Sequence, residues 1–382
     1  MKNIAILGST GSIGVNTLDV ISRLKGRFRV VALSADSSIE LLARQARVFH
    51  PKVVSVGNEE LANKAKKLLP SRTRVVYGPS GLRFIAARPD IDIIVFAISG
   101  TTCLIPLLDA IDNRKEIALA NKEALVSAGP LVMSLAAKRG VRILPIDSEH
   151  SAIFQCINGK SEAVSRIYLT GSGGPLLDVK REKFGSLPLS YILKHPRWKM
   201  GKKITVDSAT MMNKGLEIIE AKYLFNIKES SIEVLVHPEA IVHSMVEFTD
   251  SAVIAQLGVP DMRLPIEYAL TFPERSKAIV KRVDFSGVGA LTFRKPDAGK
   301  FPCLALARDA AASGRLAPAV LCASDEEAVK NYLNGNITFT DIPKIIEKVL
   351  ERHKNTVRSI SVKHVMDADS WAREETERLC YR

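Results

Sequence analysis

Cysteine is scarce in this chain: five residues in 382, at Cys103, Cys156, Cys303, Cys322 and Cys380, with no CxxC pair among them. That spacing excludes a disulfide framework and a thiolate metal centre, and it fits a reducing cytosol. Long apolar runs are also missing, and none approaches the roughly 20 residues a membrane-spanning helix needs. Residues Asn3-Ile4-Ala5-Ile6-Leu7 already read as a strand followed at once by a turn, so no signal peptide is expected and a cytoplasmic location is. Repeats and low-complexity tracts are absent. Acidic residues are outnumbered, 41 against 54 Lys and Arg, for a net charge of +13. The excess is local: residues 160–203 carry ten Lys/Arg against three Asp/Glu, whereas residues 350–382 carry seven against six. A basic tail for nucleic acid is therefore excluded. The basic segment reads either as a neighbour of a site for small anions or as a solvated cationic face.

An apolar share of 46% and a charged share of 25% describe a soluble globular protein, long enough for two or three domains. Residues 1–146 alternate apolar runs with amphipathic segments. Strands are predicted at 3–8, 29–35, 53–57, 74–78, 91–99, 116–120 and 142–146, with helical patterns such as 13–24, 38–49, 58–69 and 122–139 between them. That alternation predicts an α/β, doubly wound parallel sheet with helices on both faces. Ile91-Asp92-Ile93-Ile94-Val95-Phe96-Ala97-Ile98 is nearly continuous in apolar residues, as suits a strand buried on both sides. After residue 150 the alternation stops. Residues 234–257 predict a hairpin about Thr249-Asp250-Ser251, and its His237 and His243 read as structural. Residues 275–298 read as a linker. Helices are predicted near 303–313, 325–333 and 341–353, a part of the chain in which no chemistry is visible.

The first strand-to-helix turn is Gly8-Ser9-Thr10-Gly11-Ser12-Ile13-Gly14. Its position lets backbone N–H groups and the helix N-terminus meet a phosphate, although the pattern is GxxGxxG rather than GxGxxG. A turn that needs glycine for sterics alone is the alternative. Ala120-Asn121-Lys122-Glu123 follows another strand. Asn121 there serves as a helix N-cap, a cofactor contact or both.

Ile146-Asp147-Ser148-Glu149-His150-Ser151 ends an apolar run, where open α/β sheets bind ligands. Asp147 and Glu149 offer the hard oxygen donors that Mg²⁺ or Mn²⁺ prefers. A helix N-cap with Glu in the first turn is the alternative. Further on, Arg166-Ile167-Tyr168-Leu169-Thr170 leads into Gly171-Ser172-Gly173-Gly174-Pro175, a phosphate cradle or a flexible loop. The run 194–203 sets Trp198 and Met200 among Lys, Arg, Gly and Pro, which suits a mobile lid or simply leaves a lone Trp on the surface. In Val206-Asp207-Ser208-Ala209-Thr210-Met211-Met212-Asn213-Lys214-Gly215-Leu216-Glu217, helical spacing puts Asn213 and Lys214 one turn from Glu217, on one polar face or as an ordinary Lys214–Glu217 surface pair.

Five of these motifs, in order and over essentially the whole length, resemble the 1-deoxy-D-xylulose 5-phosphate reductoisomerase family. They are 8–14, 120–124, 147–150, 169–175 and 206–217. The resemblance implies NADPH- and Mg²⁺- or Mn²⁺-dependent conversion of the ketose phosphate to 2-C-methyl-D-erythritol 4-phosphate, an early step of isoprenoid synthesis. It implies a homodimer and a small-molecule phosphorylated ketose as substrate, with no nucleic-acid or membrane partner. Its domains would be a Rossmann-like dinucleotide-binding domain at 1–146 and an α+β catalytic domain at 147–274, with a flap near 195–203. A linker at 275–298 and a helical C-terminal domain at 299–382 would follow. Asp147, Glu149 and Glu217 would hold the metal. Ser148, Ser172, Ser208, Asn213 and Lys214 would hold substrate, with His195 reaching its phosphate and His150, Trp198 and Met200 closing over it. Thr10, Gly11, Ser12, Ile13, Asp36, Ser37, Ser38, Asn121, Lys122, Glu123 and Gly201 would meet the cofactor.

One position departs from the family. After the second strand stand Asp36, Ser37 and Ser38, with no Lys or Arg before Arg44. An acid there favours a free ribose 2′-OH, whereas the Ser hydroxyls and a helix N-terminus can hold a 2′-phosphate; Asp36 is also a candidate cap for that helix. Two rival readings stand beside this one. One is a metal-free dehydrogenase acting on amino-acid semialdehydes. The other is a dinucleotide-sensing module, which leaves the three carboxylates without a purpose.

Overall fold

The computed structural model describes residues 1–198 and 200–381, in two compact units. The first comprises Met1–Ala124, Val132–Ser151 and Asp261–Lys281; the second comprises Leu125–Leu131, Ala152–Pro260 and Arg282–Arg382.

The first unit opens with strict alternation: β1 Lys2–Leu7, α1 Ser12–Arg23, β2 Phe28–Ser34, α2 Ile39–Phe49, β3 Val53–Val56, α3 Glu59–Leu68, β4 Arg74–Tyr77 and α4 Gly78–Ala86. β5 Ile93–Phe96, α5 Leu104–Asp112, β6 Glu116–Leu119, α6 Lys122–Arg139, β7 Ile143–Pro145 and α7 Ser148–Ile157 follow in the chain, Leu125–Leu131 of α6 and the part of α7 from Ala152 onward belonging to the second unit. The seven strands are parallel, in the order β4-β3-β2-β1-β5-β6-β7. Every strand expected from the apolar runs is present. Ile93, Ile94, Val95 and Phe96 are each at most 3% exposed, because helices cover both faces of a parallel sheet. α1 buries Gly14, Thr17, Leu18 and Ile21, an i, i+3, i+4, i+7 stripe facing the sheet. The winding reverses between β1 and β5, which creates the crevice such sheets use for ligands. α6 is kinked at Ala128, two residues before Pro130, which lacks an N–H and crowds the preceding turn.

In the second unit β8 Val164–Gly171, α8 Leu189–Ile192, α9 Lys202–Thr210 and α10 Met212–Leu224 precede β9 Ile232–Val236, β10 Val242–Phe248 and β11 Val253–Leu257. The four strands form one sheet in the order β11-β10-β8-β9, in which β8 and β9 are parallel and the other pairs antiparallel. The predicted hairpin is β10 and β11. The front of that run is instead a separate strand, β9, cut off by Pro238 and by Ala240 at φ +53°. Within the first unit, α11 Arg263–Thr271 packs on α1, and Arg263 bonds Asp19 at 3.0 Å.

Residues 275–298 carry little regular structure beyond the short α12 Phe285–Val288. Four helices close the chain: α13 Pro302–Ser313, α14 Ala317–Leu333, α15 Asp341–Arg352 and α16 Val362–Cys380. α14 starts eight residues before the helix predicted at 325–333, because Pro318 is tolerated in a first turn that has no N–H to lose. α15 buries Ile342, Ile345, Ile346 and Val349, again one stripe. These helices share an apolar core with β8, β9 and α10 through residues such as Leu216, Ile219, Ala307, Leu321 and Ile346. All five cysteines are buried and none is in a disulfide, and burial pushes the Cys156 and Cys380 thiols up to about 11.

Candidate active site

In the first unit the turn after β1 lies at the winding reversal. Gly8 has φ +91°, and a Cβ there would sit 2.5 Å from the Ala97 carbonyl oxygen at the end of β5. Only glycine fits such a turn. Ser9 is fully buried and bonds Gln45 of α2 at 2.7 Å, which ties the turn to its neighbour. Gly11 is the N-cap of α1 and brings no side chain to the cap, so the helix end is left to meet a phosphate. Thr10 and Ile13 are half-buried there, while Gly11 and Ser12 are exposed. After β2, Asp36, Ser37 and Ser38 are all exposed. Asp36 is not the cap of α2: Ser38 holds that position, without a side-chain cap bond. The Asp36 backbone carbonyl accepts from Gly57 N at 2.9 Å, and its side chain packs against Gly57.

The ends of β6 and β7 lie side by side, since these strands pair in register, Leu119 with Pro145. Asn121 caps α6 by accepting from Ala124 N at 2.8 Å, and its amide donates to the carbonyls of Ile98 and Gly100 at 2.9 and 3.0 Å. The cap therefore fixes the amide against the end of β5. Lys122, next along, extends its ammonium to 3.0 Å from Asp147 Oδ2. Asp147 Oδ1 accepts from Glu149 N at 3.3 Å and lies 3.3 Å from His150 Nδ1. Asp147 thus orients the first turn of α7 while its carboxylate stays half-buried at the strand end. Ser148 donates to Glu149 Oε2 at 2.6 Å. His150 is fully buried, and Glu123 is 8% exposed.

In the second unit a parallel arrangement forms at the end of β8. The carbonyl of Thr170, its penultimate residue, accepts from Lys214 Nζ at 3.0 Å, and His237 N closes on Gly171 O at 2.7 Å. α9 and α10 meet at a corner made by Met211, whose φ is +60°. α10 therefore starts beside the glycine turn. Lys214 also bonds the Glu217 carboxylate, and Asn213 donates to Glu217 Oε1 at 2.6 Å. This trio is no solvated surface pair: Lys214 is 6% exposed and Glu217 is fully buried. Gly174 has φ +68°, and a Cβ there would lie 2.6 Å from the Ser208 carbonyl oxygen, so the turn packs directly on α9. Ser172, Ser208, Asn213 and Lys214 are brought together in this way around the β8 end.

The segment before α9 folds back onto the same turn. His195 Nε2 is 3.2 Å from Ser172 Oγ, and its Nδ1 accepts from Trp198 N at 2.9 Å and Arg197 N at 3.2 Å. Burial, and next the nearby Lys214 charge, lower the His195 pKa to about 4. A neutral ring whose Nδ1 accepts has its proton on Nε2, aimed at Ser172. Arg197 donates to Pro238 O at 2.8 Å, and Trp198 faces His243 with ring centroids 6.3 Å apart. That backing for Trp198 was invisible in the sequence, where His243 carried no signal beyond its place in a strand. Met200 is half-buried, Gly201 is the N-cap of α9, and Lys199 lies outside the described residues. Lys202 and Lys203, expected in the flap, belong to α9.

The family model described as "1-deoxy-D-xylulose 5-phosphate reductoisomerase" matches residues 4–129; two C-terminal-domain models of the same enzyme match 143–225 and 257–375. A reductoisomerase from Acetivibrio thermocellus is 50% identical over 381 residues, covering 99% of each chain. The chain belongs to the 1-deoxy-D-xylulose 5-phosphate reductoisomerase family. A Bacillus anthracis member is 44% identical over 380 residues, covering 99% of this chain and 98% of its own. A crystal structure of the reductoisomerase with NADPH, fosmidomycin and magnesium superposes with a TM-score of 0.94 at 39% identity, covering 100% of this chain and 98% of the other. The Zymomonas mobilis enzyme with NADPH gives 0.92 at 39% identity, covering 99% of both.

Proposed function

We propose that the residues assembled at these strand ends carry the family's reaction. The activity is the NADPH- and divalent-metal-dependent conversion of 1-deoxy-D-xylulose 5-phosphate to 2-C-methyl-D-erythritol 4-phosphate, which serves isoprenoid precursor synthesis. The observation that carries the assignment is the pairing of hard oxygen donors with fixed cations. Asp147 stands against Lys122, and Glu217 against Lys214 and Asn213, each at least half-buried.

Asp147, Glu149 and Glu217 are assigned to one divalent ion, since carboxylate oxygens are the donors that Mg²⁺ and Mn²⁺ take. The ion supplies Lewis-acid polarisation of the substrate's oxygens, and NADPH supplies hydride. Ser148, Ser172, Ser208, Asn213 and Lys214 bind the substrate's hydroxyls and phosphate. Lys214 is held straight by the Thr170 carbonyl, so its ammonium loses little freedom on meeting an anion. Neutral His195 donates its Nε2–H to the phosphate. His150, Trp198 and Met200 shield the reacting carbons from water, a role that suits their apolar bodies. Thr10, Gly11, Ser12 and Ile13 cradle the cofactor's pyrophosphate. Asp36, Ser37 and Ser38 meet its adenosine ribose, and Asn121, Lys122, Glu123 and Gly201 its nicotinamide end. Exposed Lys180, Arg181, Lys183, Lys194 and Lys202 give the anionic substrate an attractive field.

We keep the division into 1–146, 147–274, 275–298 and 299–382 as a functional one, with the flap expected near 195–203 ending at Gly201, where α9 begins. Limited proteolysis should cut first within 195–201 and 275–298. A homodimer is part of the same proposal, and β11, an edge strand with Val253 and Ile254 50% and 49% exposed, supports it. Sedimentation at the mass of a single chain would remove that assignment. Among the described residues no helix is long and apolar enough to cross a membrane. Five cysteines held as thiols rather than disulfides support a cytoplasmic location, which cell fractionation tests.

The deciding experiment follows NADPH oxidation with the ketose phosphate, with and without chelator. Turnover should need both metal and substrate, and Glu217→Gln should lower it by at least about 100-fold, beyond what loss of a mere supporting contact costs. Full activity in chelator would instead support a metal-free dehydrogenase.

A further inference from the structure

α9 begins with an electrostatic conflict. Lys202 and Lys203 occupy its first turn, no acid does, and Gly201 gives no side-chain cap. The N-terminal end of a helix carries partial positive charge, so cations there are unfavourable. The structure answers with two carboxylates. Lys203 Nζ lies 2.6 Å from Asp207 Oδ2, one turn along α9, and forms an ion pair at 2.8 Å with Asp325 Oδ2 of α14. Asp207 is 2% exposed and Asp325 is completely buried. Asp325 comes from the helical part of the chain in which the sequence showed no chemistry.

We infer that Asp325 is a positioning residue for the substrate site, acting through Lys203. Lys203 stands two residues after Gly201, where the flap ends. Five residues further on, Ser208 presents its backbone to Gly174 and so to the phosphate-binding turn. Holding Lys203 fixes where α9 starts, and therefore both the root of the flap and the register of Ser208. Asp207 alone cannot do this, because it rides on the same helix and moves with it. Asp325 supplies the reference point from outside α9. A buried carboxylate also needs a counter-charge, so the pair resists separation from either side.

The inference rests on the reductoisomerase reading, and two measurements keep the two apart. Wild-type turnover tests the reading itself. For Asp325, the isosteric Asp325→Asn removes the charge while Lys203 keeps Asp207. With the pair weakened, substrate binding must itself order the flap root. The expected result is a roughly tenfold higher KM for the ketose phosphate, a kcat within about twofold of wild type and a much smaller rise, at most about twofold, in the KM for NADPH, whose only proposed contact at the α9 start is Gly201. In a Lys203→Met background the same substitution should add nothing to KM, since the effect passes through Lys203. A turnover-independent arm titrates Trp198 fluorescence with the ketose phosphate, in a Trp371→Phe background. Asp325→Asn should shift the midpoint upward by the same factor. An unchanged KM and Trp198 midpoint would overturn the inference. So would equal losses for substrate and NADPH that track a lower folded fraction.

Discussion

Lys122 and Asp147 meet at 3.0 Å although 25 positions separate them, because each is the second or third residue past one of two neighbouring parallel strands. Their side chains are only 7% and 13% exposed. A cation is thus built in beside a carboxylate that is proposed to bind a second one.

That contact has a measurable consequence. Lys122→Met leaves Asp147 without its ammonium, and breaking a buried pair from one side costs about 3–5 kcal/mol. Denaturant titration should show this loss in chelator and a distinctly smaller one in saturating Mg²⁺, where a bound cation again neutralises Asp147. Equal losses in both conditions would remove Asp147 from the metal-ligand set.

His195 governs a pH response. Burial first, and Lys214 next, place its folded pKa at about 4, below the ordinary value of 6.5. The folded chain therefore declines a proton that the unfolded chain accepts between those values. Its contribution to stability is constant above pH 6.5 and is lost progressively as pH falls toward 4. His195→Gln should flatten this part of the stability profile. The His195 imidazole resonance, followed by NMR without substrate, should titrate below pH 5. A midpoint at or above 6.5 would contradict a half-buried, neutral ring.

Cofactor choice should respond to Asp36. Its carboxylate is exposed and packs against Gly57 rather than capping α2, so its charge remains near the proposed 2′-phosphate position. Wild type should prefer NADPH over NADH in kcat/KM. Asp36→Ala should widen the preference roughly fivefold, the effect of removing about 1 kcal/mol of like-charge repulsion in water. A ratio that does not change would place Asp36 away from the phosphate.

The sequence by itself determined the features set within ten or so residues. The seven parallel strands were legible because two-sided burial writes continuous apolar runs. The starts of α1, α6 and α10 were legible because glycine, Asn121 and helical spacing leave local marks. The carboxylates, hydroxyls and lysines of the site were legible as types at strand ends. Tertiary structure alone decided which of them meet. Parallel pairing of β6 with β7 set Lys122 on Asp147. With the chain broken at Pro238 and Ala240, β9 docked parallel to β8, so one apparent hairpin run became two strands. The β8 end turned Lys214 onto Thr170 and buried Glu217, where spacing alone allowed a surface pair. Packing of α14 delivered Asp325 to Lys203 across more than a hundred residues of chain. Such contacts leave no periodic trace, because their energy comes from desolvating and pairing groups that only the folded backbone brings within a few ångströms.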